Sequence, residues 1–598
     1  MCRIAGIVDF QIPVSQIETI VSEMCNLLKH GGPDDGGIFI DSISNVVLGN
    51  RRLSLLDLST QGHMPMTYKN QFHITYNGEI YNYKSLKNEL ISLGHEFASN
   101  TDTEVILAAF SQWGVLSFSK LNGMFAFSIW DSTQKEIYLV RDPTGIKPLY
   151  YSLDDTSLIF ASEVRAFDVI NQKKSQEKKW PVYLMAYGHL PEPVTTLNSV
   201  KPLPKGYFLK YNYNSRDYSF QSFFNFSYSN TIDDYQTAIN LTKSTLKESI
   251  ERQLLADAPI GVFLSGGLDS GIITSLAFNA QKKSLNTLSV YFEEKEFSEK
   301  IYQDVLINHL QCTNHNQLLL QEKEFNESFP AILNSMDLPS CDGINTWFIS
   351  KYAASNGLKA VLSGLGGDEL FGGYPSFNRY SKAEKIQQLP NFVKGIGKGS
   401  NSKKLNRMSY LRMDGVKGIY LFLRGHFTPN EIAYQLGSYE NEIWQILNEQ
   451  PVLINPELPA AKNKASWMET NLYMQNQLLR DSDVMSMIHG VEIRVPFLDN
   501  ELIKVANRID PKIKFAGNLP KQFLIDCFKN EIPRAIWDRP KMGFSFPFAK
   551  WLKQSKFVEN IMESKGVKTK NSYKKFINGQ LHWSHMMSII ILNHRNAI

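Results

Sequence analysis

"GVFLSGGLDSGIITSL", residues 261–276, runs from an apolar segment through Ser-Gly-Gly-Leu-Asp-Ser into a second apolar segment. Extended to "APIGVFL", the first segment predicts a strand, and "GIITSLAFNA" predicts a helix. Between them, two glycines let backbone N–H groups face an anion, the helix start adds partial positive charge, and two serines can donate. A bare Gly-Gly would signal only a tight strand-to-helix turn. The full string, with an acid and two hydroxyls in that setting, points to phosphate. No G-x-x-x-x-G-K-[ST] is present, so transfer of a γ-phosphate is not the natural reading.

The pattern continues on both sides. Helical periodicity covers 235–256 and 298–310, and "LNTLSVYF" and "LKAVLSG" read as further strands. Strands alternating with helices predict a doubly wound parallel sheet with ligands at the strand C-termini. A second glycine-rich loop, "VLSGLGGDELFGGY" (361–374), follows the strand-like "GLKAVLS", so the two loops are expected at one sheet edge, with "LFGGY" opening the next helix. Downstream, "LLRDSDVMSMIHGVEIRVPFLD" (478–499) reads as a helix ending in a strand-like run. "RPKMGFSFPFAKWL" (539–552) puts Lys541 on a loop before an amphipathic segment.

At 598 residues the chain needs at least two cores. Its net charge of +4 balances 63 basic against 59 acidic residues, so no field calls for nucleic acid. No window approaches the ~18 apolar residues of a membrane span, and no secretory leader is legible. Five scattered cysteines lack metal-ligand spacing and fit a reducing cytoplasm, mostly as buried small hydrophobes.

Cys2 is the exception. "MCRIAGIVDF" places it behind the initiator methionine at the mouth of a strand-like run. With Met1 removed, its own α-amine, whose unperturbed pKa is about 7.7–8.0, can serve as base for the thiol. Such a thiol suits attack on an amide carbonyl. Then come "HGGPDDGG" (30–37), "NRRLSLLDLS" (50–59, strand-like), "TYNGEIYNY" (75–83), "NTDTEVILAAF" (100–110), "LNGMFAFSIWD" (121–131) and "VRDPTGIKPLYY" (140–151). Taken alone, "NGE" is more often a hairpin turn. In this order, over about 160 residues, the motifs resemble the glutaminase domain of class II, N-terminal-nucleophile amidotransferases. The resemblance implies an oxyanion hole from Asn77 and the Gly78 N–H beside the nucleophile Cys2. It implies a glutamine pocket of Arg52, Leu53, Asn77, Gly78, Glu79 and Asp102, with arginine on the carboxylate and the acids on the ammonium. "HGGPD" departs from the family, which usually has arginine after the histidine.

The SGGLDS loop is similar to the pyrophosphate loop of ATP-pyrophosphatase synthetases, which cleave ATP between α and β and adenylate a carboxylate. That likeness implies an ATP site from Phe263, Leu264, Ser265, Gly266, Gly267, Asp269, Ser270, Val290, Ser363 and Gly364. Lys521 and Lys541 would neutralise phosphate charge, and Asp269 and Asp368 would share Mg²⁺. End to end, the chain resembles the glutamine-hydrolysing asparagine synthetase family. The implied fold is mixed α/β and α+β: an N-terminal-nucleophile αββα sandwich (1–205), a Pro- and aromatic-rich connector (206–235), and a doubly wound ATP-pyrophosphatase domain with extra helices (236–598). The implied partners are glutamine, ATP and a carboxylate acceptor, with a homodimer suggested by the family alone. An intramolecular ligase has no need of the Cys2 set, and a sugar-phosphate aminotransferase would not carry SGGLDS.

Leu365 departs from this pattern. Asparagine synthetases usually carry glutamate there, beside the acyl-adenylate, and leucine can neither accept a proton nor steady an ammonium. The departure, with "LPSCDGINTWFISK" (338–351), resembles a branch associated with surface-polysaccharide or secondary-metabolite pathways. Aspartate is the family's default acceptor, and a sugar uronic acid is the alternative.

Overall fold

The computed structural model describes residues 2–170, 175–281, 285–395, 403–449, 458, 460–543 and 546–595. Met1, whose removal the sequence reading requires, lies outside them.

The N-terminal half contains two stacked antiparallel sheets. One runs Lys201–Pro202, Tyr150–Leu153, Ser157–Ala161, Cys2–Asp9, Val46–Arg52 and Asp35–Asp41 from edge to edge. The other runs Tyr218–Ser222, Tyr207–Asn212, Glu136–Arg141, Gly123–Asp131, Phe72–Ile80 and Met66–Tyr68. Alternation along the first strand explains the layering: Ile4 and Val8 enter the core between the sheets with Trp130 and Leu139, whereas Ala5 and Ile7 face the helix Val14–Leu27. The helices Tyr83–Ser92 and Asp102–Trp113 cover the second sheet, completing the αββα order.

Two features differ from the sequence reading. The Tyr/Ser/Asn-rich stretch read as connector from 206 includes a hairpin, because Tyr207–Asn212 pairs with both Glu136–Arg141 and Tyr218–Ser222. Its polar composition hid the alternation that buries Phe208, Leu209 and Tyr211. The strand read across 50–59 ends at Arg52, where the chain turns and presents the carbonyls of Leu56, Asp57 and Ser59 to the Arg52 guanidinium.

The C-terminal half is built on a five-stranded parallel sheet ordered His315–Leu319, Asn286–Tyr291, Ile260–Phe263, Ala360–Leu362 and Glu492–Arg494. The chain order reverses between Ile260–Phe263 and Ala360–Leu362, so the loops after these neighbouring strands open where such sheets bind ligands. Helices surround the sheet, and among the described residues none is long and apolar enough to cross a membrane. The halves share one core and are joined by buried ion pairs. Asp483 meets Arg3 at 2.8 Å and Lys147 at 3.1 Å.

Candidate active sites

The first site forms where the first strand begins. Cys2 lies opposite Arg52 in the sheet, and its backbone N–H donates to Asn77 Oδ1 at 3.2 Å from the facing sheet. Asn77 Nδ2 is buried without a hydrogen-bond partner, a donor left over on the side chain that meets the Cys2 backbone. "NGE" is not a hairpin turn, since Asn77, Gly78 and Glu79 all lie within the strand Phe72–Ile80. Gly78 is required there, because a Cβ would stand 2.1 Å from Met124 O of the adjacent strand. Burial pushes the Cys2 thiol up, against the pull of the Leu53 N–H and Arg52. A thiol so placed needs a base before it can attack.

The expected glutamine residues surround this point. Asp102 stands in the first turn of its helix, capped by Thr101, and accepts from Ile80 N–H and Tyr76 OH, each at 2.8 Å. Burial raises its carboxyl despite these bonds, and raises Glu79 well above the carboxylate range. The Arg52 guanidinium donates to the carbonyls of Ser59 and Leu56 at 3.2 Å each and Asp57 at 2.5 Å, so its plane is fixed.

The second site is a cavity of about 1260 Å³ at the C-terminal edge of the parallel sheet. The SGGLDS loop brings Ser265, Gly267, Asp269 and Ser270 to it, the second loop brings Ser363, Gly364, Leu365 and Asp368, and Phe263, Leu264 and Val290 form its apolar side. Gly266 does not line the cavity; its carbonyl is held at 3.0 Å by Arg539. The helix Leu268–Gln281 starts directly after the glycines, with Asp269 in its first turn. Glycine at 367 lets the loops touch, since a Cβ there would lie 2.7 Å from the Asp269 carboxylate. Ser265 and Ser270 bond each other at 2.9 Å.

Charge concentrates between the loops. Lys521 Nζ donates to both Asp269 oxygens at 2.8 and 2.7 Å and lies 2.6 Å from Asp368 Oδ1. Lys541 pairs with the other Asp368 oxygen. Although burial opposes it, the two lysines hold the Asp368 carboxyl down at about 2. "LFGGY" proves to end a helix rather than open one: Gly367–Phe371 makes one short turn that Gly372 terminates at φ +86°, and the next helix is Ser376–Gln387.

Some residues of this cavity were not singled out from sequence. Glu369, 1% exposed, accepts from Tyr374 OH at 2.7 Å, and burial pushes it up to about 7. Asp481 is likewise raised by burial to about 7. The signal for Glu369 was present in the Asp-Glu pair. Asp481 had none, because it comes from a distant helix.

The asparagine synthase family model matches residues 241–586, more than half of the chain. The chain belongs to the asparagine synthase family. A glutamine amidotransferase domain matches residues 1–224, so this member joins both activities and is a glutamine-dependent carbon–nitrogen ligase. It is 31% identical to asparagine synthetase [glutamine-hydrolyzing] 1 of Bacillus subtilis, over 94% of this chain and 90% of the relative. A putative asparagine synthetase 2 of Methanocaldococcus jannaschii is 33% identical over 70% of this chain and 83% of its own. The chain is also similar to "Amidase chry2" of Gibberella zeae, 24% identical over 91% of this chain and 86% of the relative. Membership in the asparagine synthase family implies glutamine and ATP as substrates.

Proposed function

We propose that the enzyme amidates a carboxylate through an acyl-adenylate, using ammonia released from glutamine at Cys2. The Cys2 thiol attacks the glutamine side-chain amide, releasing ammonia and leaving a thioester that water hydrolyses. Asn77 Nδ2 and the Gly78 N–H stabilise the oxyanion; the orphaned, buried Nδ2 supports this role. Arg52 takes the substrate carboxylate, Glu79 and Asp102 its ammonium, and Leu53 lines the pocket. Ammonia then crosses inside the protein, because in bulk water it would protonate.

In the second site the acceptor carboxylate attacks the ATP α-phosphorus, and ammonia displaces AMP from the resulting mixed anhydride. Ser265, Gly267 and Ser270 cradle the pyrophosphate, Lys521 and Lys541 offset its charge, and Ser363 and Gly364 hold AMP, with Phe263, Leu264 and Val290 along the adenine. Among the described residues no cage of three metal-ligating side chains forms, but two carboxylates completed by substrate phosphates and water suit Mg²⁺. Asp269 and Asp368 would hold it, and the ion would supply positive charge at the departing pyrophosphate. The single observation that carries this reading is the meeting of Asp269 and Asp368 on Lys521 at the cavity. Five unpaired, buried cysteines support a cytoplasmic setting.

Aspartate, giving asparagine, is the acceptor that the relatives' names suggest. Leu365 on the cavity wall favours a second reading, a sugar uronic acid as acceptor. AMP release with glutamine and Mg²⁺, compared across aspartate, uronic acids and nucleotide-linked sugar acids, decides between them. Turnover with aspartate selects the first, and amide formed only on a sugar acid selects the second. No AMP with any carboxylate overturns the adenylation reading.

A further inference from the structure

Arg494 stands where the two halves meet. It is fully buried at the end of the strand Glu492–Arg494, opposite Leu362 in register. Its backbone carbonyl accepts from the Ser363 N–H at 2.8 Å, fixing the first residue of the loop that carries Gly364, Leu365 and Asp368. Its side chain reaches the other site, with Nη2 3.5 Å from Glu79 Oε1. The rest of the guanidinium is anchored in its own half. Nε donates to Glu492 at 2.6 Å, and Nη1 to the carbonyls of Gln253 and Leu255 at 2.6 and 2.7 Å. Nη2 has no hydrogen bond, so its contact with Glu79 is the loose one of the set. One residue therefore touches both the acid assigned to the glutamine ammonium and the loop assigned to AMP.

We infer that Arg494 is a positioning residue that couples glutamine binding to occupancy of the nucleotide loop. The inference rests on the reading of Glu79 as the ammonium's partner. Burial disfavours the charged form of Glu79 and the Arg494 guanidinium favours it, so an arriving ammonium competes with that guanidinium for the same oxygens. Nucleotide that draws Ser363 toward the cavity pulls on the Arg494 carbonyl and withdraws Nη2 from Glu79, which frees that carboxylate for glutamine. Linkage makes the effect reciprocal, so bound glutamine tightens nucleotide by the same factor. Lysine at 494 keeps a positive charge but cannot reproduce the fork that binds Glu492, two carbonyls and Glu79 together.

The test uses the full chain and reads glutamate release with and without a non-hydrolysable ATP analogue and Mg²⁺. The analogue is expected to lower the glutamine KM by about 5-fold or more, the lower end of ordinary coupling, with little change in kcat. Arg494→Lys should bring that ratio to about one, and Glu492→Gln, which loosens a single anchor and keeps the arginine, should reduce it. A merely structural role would change KM equally in both conditions. A wild-type ratio near one, or an undiminished ratio in the variants, overturns the coupling. Glu79→Gln isolates the underlying reading: an unchanged glutamine KM in that variant would remove the ammonium assignment itself, whatever the nucleotide ratio does.

Discussion

Around Cys2, Glu79 lies inside an antiparallel sheet and Asp102 at the start of the helix that covers it, and burial pushes both carboxyls up; at the parallel-sheet edge, Asp368 sits between Lys521 and Lys541 and is held down at about 2. Under the proposed function, the contrast follows from what each site binds. A zwitterion and a small oxyanion are held by few groups whose direction matters, so strands and a helix start fix Asn77, Gly78 and Asp102. A triphosphate brings several charges at once. On that reading, the protein meets it with charges already present and stored as ion pairs, which would exchange partners when phosphate arrives.

Removing the thiol separates the regions most sharply. Cys2→Ala is expected to lower glutamine-dependent amidation by ~10⁴-fold or more, the scale on which loss of a nucleophile acts, while amidation with added ammonium persists. Retained glutamine use would break the comparison at its first term. Asn77→Ala should cost ~10²–10³-fold in glutamate release, again sparing ammonium-supported turnover. Lys541→Met should do the reverse. AMP formation should fall by ~10²-fold with either nitrogen source while glutamate release stays, because Lys541 contacts Asp368 at the cavity and nothing near Cys2. At saturating glutamine, where a coupling through KM has no effect, a fall in glutamate release would show that Lys541 also acts on the first site.

The two regions also differed in how far the sequence disclosed them. SGGLDS announced its strand, turn and helix because local rules govern all three, and Asp269 sits where they put it. The role of Asn77 was legible only through a resemblance: "TYNGEIYNY" reads as a strand running into a turn, and "NGE" by itself as a hairpin turn, whereas the paired strand Gly123–Asp131, distant in sequence, holds all three residues in the strand. The hairpin after 206 was lost for a similar reason: its pairing partner lies at 136–141. Long-range pairing also hid Asp481 and Arg494, which are brought to their places by the last strand of the parallel sheet and the helix before it.

The smallest expected effect sharpens the comparison within the second region, where Glu369 lies next to Asp368 in sequence but shifts the other way. Burial raises Glu369 from an ordinary 4.5 to about 7, so the folded protein holds a proton there that the unfolded chain has released. Its stabilising contribution is complete below pH 4.5 and is lost as pH rises through 7, amounting to ~3 kcal/mol across that window. Asp368, lowered from 3.8 to about 2, contributes above pH 3.8 and loses its share as pH falls toward 2, a change of ~2 kcal/mol. Burial lowers the imidazoles of His189, His426 and His489, which act in the opposite sense over the same window, so Glu369 is read by difference. In urea unfolding from pH 4.5 to 7.5, the slope of stability against pH should be less negative in Glu369→Gln than in the native chain, with Asp481, also raised to about 7, keeping its own share. An unchanged slope would mean that Glu369 is ionised in the folded protein, and that lysine pairing governs this region's acids as a whole. A flattened slope would mean that neighbouring acids on one short helix are held in opposite states, one by its burial and the other by its two lysines.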